Sequence, residues 1–248
     1  MIILIICLKY YHKKINTLEN NNDILISNPH SIAFLEKKLL LVNLGKKNQN
    51  GNIILINEKD NNYKIIKNIN KNKSFKKPAS IFVDQNNLIY VSDVFENKIL
   101  IFNEEFSLLN WIGLLEQNMT DDFKKKNLFD IKLKNPHGIY KLKEFLIVCD
   151  THNHRILFFK NDKIYGWFEN INKNKIGFFL YNEEKYINQN VLNEMKGPLD
   201  LAIFNNYMIV TESYNSNRVL KIDLKKLEIS EIKLTFKGKN KLRNPYEI

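Results

Sequence analysis

The sequence predicts an all-β fold, a β-propeller of four-stranded blades, and three observations carry that expectation. A proline opens a short apolar strand at Pro29, Pro78, Pro136 and Pro198, and a fifth stands at Pro245, so subtracting positions gives spacings of 49, 58, 62 and 47 residues. A repeat of that length has room for four strands, the unit of a propeller blade. Strand-like runs such as FLIVC (145–149) and ILFF (156–159) are apolar without alternation, so both faces of their sheet must be covered. The connections are short and rich in Asn, Asp and Gly, which leaves no room for the amphipathic helices of a parallel sheet. Blades stacked face to face around an axis bury both surfaces without helices.

Each blade reads in order from its proline. First strands are expected at 81–83, 139–140 and 201–203, second strands at 88–92, 145–149 and 207–211, and third strands at 98–102, 155–159 and 218–222. The fourth strand is the weakest signal and is carried by 108–112 and 163–168. Helices, if any form, are confined to the inserts at about 114–130 and 182–195, where Gly is sparse and Glu, Lys and Leu gather. Repeats therefore start near residues 28, 77, 135 and 197, with a partial repeat from 244, in one domain over 1–248. Residues 1–28 read as the third and fourth strands of a further blade, and the tail NPYEI reads as a first strand. A piece of a longer propeller is favoured over a small ring closed by one mixed blade, because no second strand follows Pro245.

Composition narrows the partners. The formal charge of +11 would ordinarily point to nucleic acid or an anionic membrane, but the basic residues are mostly scattered lysines. The only arginines are Arg155, Arg218 and Arg243, whereas a dedicated phosphate-binding surface favours arginine for its bidentate geometry. RNA binding by a basic surface stays an alternative. The two cysteines, Cys7 and Cys149, lie far apart in apolar runs, which supports neither a disulfide framework nor a Cys-based zinc site. The apolar opening Met1–Leu8 is too short to span a bilayer and lacks a positive leader, so it reads as a strand and a cytoplasmic location is favoured.

The phrase DTHNHRILFF (150–159), with PHGI upstream (136–139), resembles the NHL repeat, named for an Asn-His-Leu signature. Here the tripeptide is Asn153-His154-Arg155 in the best copy, Glu96-Asn97-Lys98 and Ser216-Asn217-Arg218 in two others, while the proline, the acid and the basic residue keep their offsets. Trp111-Ile112-Gly113 and Ile176-Gly177-Phe178 look like the aromatic-glycine segment that follows the third strand in this family. The copy at Pro29 departs most, with Asn43 at the acid's place and an inserted GKKNQNG stretch. The resemblance covers most of 28–248 and implies a six-bladed type of propeller, incomplete here. It implies an interaction platform more than a chemistry.

Adjacent strands are antiparallel, so the start of each first strand and the end of each second strand share one rim. That places His30, His137 and His154 with Asp93, Asp150, Glu212, Lys98, Arg155 and Arg218, and these nine residues form the expected binding rim. Because acid and base recur together in every good repeat, a structural role as turn cap and ion pair is the stronger reading for them. His30 and His137 lie two repeats apart and could meet at the axis. In peptidyl-hydroxyglycine amidating lyase, a propeller enzyme with similar repeats, histidines in this context supply a zinc; the intervening copies here hold Ala79 and Leu199 and the next holds Tyr246, so the ligand set is incomplete. No phosphate loop, nucleophile elbow or His-Glu-x-x-His motif occurs. The expected function is a non-enzymatic scaffold that binds a protein partner through the rim. A metal-dependent lyase or hydrolase is the alternative of another class.

Overall fold

A computed structural model describes residues 28–233 apart from 58, 60, 61, 116–118, 162, 213–215 and 217. Apolar, β-branched and aromatic runs form the strands, and tight Asn-, Lys- and Glu-containing turns join them. The first blade is an antiparallel meander of β1 (Pro29–Leu35), β2 (Lys38–Asn43), β3 (Asn52–Asn57) and β4 (Tyr63–Ile66). A small hairpin, β5 (Asn68–Asn70) and β6 (Lys73–Ser74), leads into the second blade of β7 (Pro78–Val83), β8 (Ile89–Asp93), β9 (Lys98–Phe102) and β10 (Leu108–Gly113). The third begins with β12 (Pro136–Leu142), β13 (Phe145–Asp150), β14 (Arg155–Lys160) and β15 (Lys163–Asn172). The fourth is β18 (Pro198–Phe204), β19 (Tyr207–Glu212), β20 (Val219–Asp223) and β21 (Glu228–Ile232). The innermost strands β1, β7, β12 and β18 pack beside one another at the hub. The chain folds as a β-propeller, with four blades among the described residues.

The cores lie between blades, as the two-sided apolar runs demand. Val42 and Ile53 meet Val91 and Leu100 between the first and second blades. Tyr90 and Ile101 meet Val148 and Leu157 between the second and third, and Ile147 and Phe158 meet Met208 and Leu220 between the third and fourth. Every residue of β8 and β9 is buried. Each such Ile, Leu or Val contributes about 1.5–3 kcal/mol over an exposed counterpart. β20 differs, because Leu220 and Ile222 are buried toward the third blade while Val219, Lys221 and Asp223 are half-buried.

The inserts depart from expectation. Among its described residues, the stretch 114–130 holds a four-residue helix, α1 (Asp121–Lys124), followed by β11 (Asn127–Asp130), which pairs in parallel with β10. The stretch 182–195 holds no α-helix: a 3-10 turn at Tyr181–Glu183 joins β16 (Lys175–Leu180) to β17 (Lys185–Val191), and these two strands extend the third blade to six. Ile176-Gly177-Phe178 accordingly sits on the fifth strand of that blade, and Trp167, paired opposite Leu157, is the true counterpart of Trp111 opposite Leu100. The partial blades expected at the two ends, with Cys7, lie outside the described residues.

Candidate functional site

A proline has no N–H to give the ladder, and at each blade the register slips just after it: between Pro29 and Ser31, Pro78 and Ser80, Pro136 and Ile139, and Pro198 and Asp200. Such bulges re-aim the side chains that follow. The residues delivered this way, His30, Ala79, His137 and Leu199, line one cleft at the hub together with Gly138 and Asp200. Its interior volume is about 10 Å³, which is at the lower bound for a single water. Gly138 is needed there because a Cβ would come within 2.8 Å of the Asp200 Cα and 3.0 Å of the Leu199 carbonyl.

The two hub histidines from alternate blades meet, with ring centroids 5.8 Å apart. His30 Nδ1 lies 2.9 Å from the Ala79 carbonyl and His137 Nδ1 lies 3.1 Å from the Asn135 carbonyl. A carbonyl acceptor fixes the proton on Nδ1, the tautomer in which Nε2 carries the lone pair. Burial lowers the His137 pKa to about 4, with His30 and His152 pushing the same way against the Asn135 hydrogen bond. His137 is therefore neutral at physiological pH. Among the described residues no three His, Cys, Asp or Glu side chains cluster as a metal site.

The recurring acids hold each blade to the segment that leads into it. The Asp93 carboxylate accepts the backbone N–H groups of Lys76 at 2.7 Å, Lys77 at 3.0 Å and Glu96 at 3.2 Å. Asp150 accepts the Lys134 N–H at 2.7 Å, and Glu212 accepts the Lys196 N–H at 2.8 Å. Asn43 does the same for the Asn28 N–H at 3.0 Å, which explains why an amide suffices in the divergent first copy. The acceptor ending the second strand thus satisfies backbone donors just before the first strand of the same blade. Asp93, Asp150 and Glu212 are fully buried. Burial raises the Asp93 pKa, and the three N–H donors oppose that shift.

The basic partners follow one plan with variations. Arg155 Nε donates to Asp150 at 2.8 Å and its Nη2 to the Lys132 carbonyl at 3.2 Å. Arg218 pairs with Glu212 and donates to the carbonyls of Asn193 at 3.0 Å and Glu194 at 2.7 Å. Lys98 is buried, donates to the Glu96 carbonyl at 3.1 Å and lies over the Trp111 ring. His154 adopts a left-handed backbone, φ 54°, and its Nδ1 accepts the Gly197 N–H at 3.0 Å, tying the third blade to the fourth. Sequence reasoning missed Thr151, which donates to the Pro198 carbonyl at 2.8 Å across blades and lies 3.3 Å from His137 Nδ1. It missed Asp200 as well, since only the hub brings that carboxylate beside Gly138.

The same rim also exposes apolar side chains. Phe95, in the turn between β8 and β9, is 71% exposed, and Leu114 and Leu115, just past β10, are 46% and 39% exposed. These segments are neighbours, because Gly113 abuts the Asn97 carbonyl so closely that a Cβ would lie at 3.0 Å.

No protein-family model matches the sequence, and no curated protein is significantly similar to it. Among the solved structures that share the fold, two lyases illustrate the likeness. One, described as streptogramin B lyase, has a TM-score of 0.54 at 16% identity, covering 88% of this chain and 72% of that chain. The other is virginiamycin B lyase from Staphylococcus aureus, with a TM-score of 0.53 at 15% identity over 86% of this chain and 72% of that one. At this identity the likeness establishes the propeller and nothing of its chemistry.

Proposed function

We propose that this chain is an NHL-type propeller that acts as a non-enzymatic scaffold, binding a protein partner through the rim that carries the repeat prolines. The carrying observation is the exposed Phe95, Leu114 and Leu115 on that rim. Large apolar side chains left in water on neighbouring segments are what an interface core uses. The acids and bases beneath them are engaged in holding strands, so they make a rigid platform under the patch. The +11 charge favours a partner that is acidic around an apolar anchor.

The test is a photo-crosslinking residue at position 95, identification of the adduct, and affinity measurement with the purified pair. Phe95→Ser weakens binding at least tenfold, as loss of an anchor does, while Phe204→Ser on the opposite face leaves it unchanged. An adduct that binds the Phe95→Ser variant equally well refutes the reading. An RNA adduct refutes it in favour of the basic-surface alternative.

A second reading, a metal-dependent lyase, is favoured by one observation, the meeting of His30 and His137 at the hub. Their Nδ1 atoms face backbone carbonyls, the outer-shell arrangement typical of zinc-bound imidazole, and zinc would act as a Lewis acid there. A further solved structure of the same fold is a catalytically inactive histidine-to-alanine variant of virginiamycin B lyase with quinupristin. The two imidazoles fit two ligand positions; a third donor is not among the described residues. Elemental analysis of the purified protein showing less than one zinc for every ten chains disposes of this reading.

A further inference from the structure

The second cleft of note lies at the opposite end of the blades, independent of the rim. It opens between the third and fourth blades, below the turns that join β12 to β13, β18 to β19 and β20 to β21. Its volume is about 440 Å³, within the range of small-molecule sites. The apolar part of its walls lacks partner atoms on the open side, contacts that a guest would supply.

The walls are aromatic. Phe145 and Tyr165 meet edge-on at 5.3 Å, Phe158 and Phe178 meet edge-on at 5.4 Å, and Tyr165 lies 5.9 Å from Phe178. Leu142, Ile147, Leu224 and Leu227 add aliphatic lining, Asn205 and Asn206 add amides, and Leu227 is held in a left-handed conformation, φ 55°. The backbone bond from Leu224 N–H to the Asn206 carbonyl, 2.8 Å, ties two of the turns together and keeps the wall in place.

Charge at the mouth selects the ligand. Lys143 and Lys225 border the opening with Glu144, and Glu144 is offset by Lys160 at 3.7 Å. The Lys160 ammonium also stands 5.1 Å over Phe145 and 5.7 Å over Tyr165, so the cation position on those rings is already filled. A cationic guest would meet like charge, while an anion would meet two lysines. We propose that this cleft binds a small aromatic monoanion, an aryl carboxylate or sulfonate, with its ring among Phe145, Tyr165 and Phe178 and its charge at Lys143 and Lys225.

The test uses two matched fluorescent probes on the full chain: 8-anilino-1-naphthalenesulfonate and the neutral N-phenyl-1-naphthylamine, which has the same rings without the sulfonate. One saturable site is expected, tighter for the anion at low salt, with the difference closing as salt rises. Reversing both mouth charges, Lys143→Glu with Lys225→Glu, weakens the anionic probe about tenfold or more and leaves the neutral probe unchanged. Both changes lie on exposed turns, and an unaltered melting curve confirms the fold. A second variant, Leu227→Trp, fills the cleft and abolishes binding of both probes. Binding that does not saturate at one per chain, or a ratio of affinities that the charge reversal does not move, overturns the proposal.

Discussion

Asp150→Ala is the sharpest test of how the rim is built. The wild-type carboxylate is fully buried and accepts three hydrogen bonds: from the Lys134 N–H at 2.7 Å, from Arg155 Nε at 2.8 Å and from Asn153 Nδ2 at 2.8 Å. Truncation orphans the Lys134 donor, which costs about 1–3 kcal/mol. It also strips Arg155 of its counter-ion. Arg155 is 19% exposed and keeps the Lys132 carbonyl and the Trp167 ring, so rehydration limits that loss to less than the 3–5 kcal/mol of a fully buried pair. A total of about 3–4 kcal/mol is expected. Urea unfolding followed by circular dichroism reads it as a lower midpoint at unchanged slope. The surface pair of Lys196 and Glu194, 3.3 Å apart and both exposed, is the control, and Glu194→Ala costs under about 1 kcal/mol. Equal effects from the two substitutions, or a loss below about 1 kcal/mol for Asp150→Ala, would refute the view that each recurring acid pins the segment that enters its own blade.

Three further outcomes follow from the hub and the rim. Gly138→Ala forces a Cβ onto the Asp200 backbone at 2.8 Å and destabilises the fold by about 2 kcal/mol or more, read in the same urea assay; Ser80→Ala, one repeat earlier, does not. His137 titrates near 4 in the folded chain against an ordinary 6.5, so between those values the unfolded chain holds a proton that the folded chain lacks. Stability in chelator-treated protein is then full above pH 6.5 and falls as pH drops toward 4, by up to about 3 kcal/mol, and His137→Gln removes that part of the slope. Phe95→Ser leaves the unfolding midpoint within about 0.5 kcal/mol of wild type, because the side chain stands in water, yet it weakens partner binding.

The strands themselves were legible because blade strands are short apolar runs with local turn chemistry, and the repeat prolines mark where each blade begins. Asp93, Asp150 and Glu212 could be placed at one rim from strand direction alone. Their buried state and their backbone partners could not, since those donors lie 16 or 17 residues upstream in the chain and are met only when the sheet closes. The stretch 182–195 misled because YNEEKYINQNV has neither helical nor strand period; the open edge of β15, which recruits β16 and through it β17, decides its state.

The sequence by itself determined the blade as a unit, because periodic prolines, turn residues and two-sided apolar strands are properties of neighbouring residues. The tertiary structure alone decided which blades exchange hydrogen bonds, that His30 and His137 stand 5.8 Å apart, and that an aromatic cleft opens at the far end between the third and fourth blades. The physical reason is distance along the chain. These contacts join residues tens of positions apart, and their geometry is set by how neighbouring wedges pack against one another at the hub.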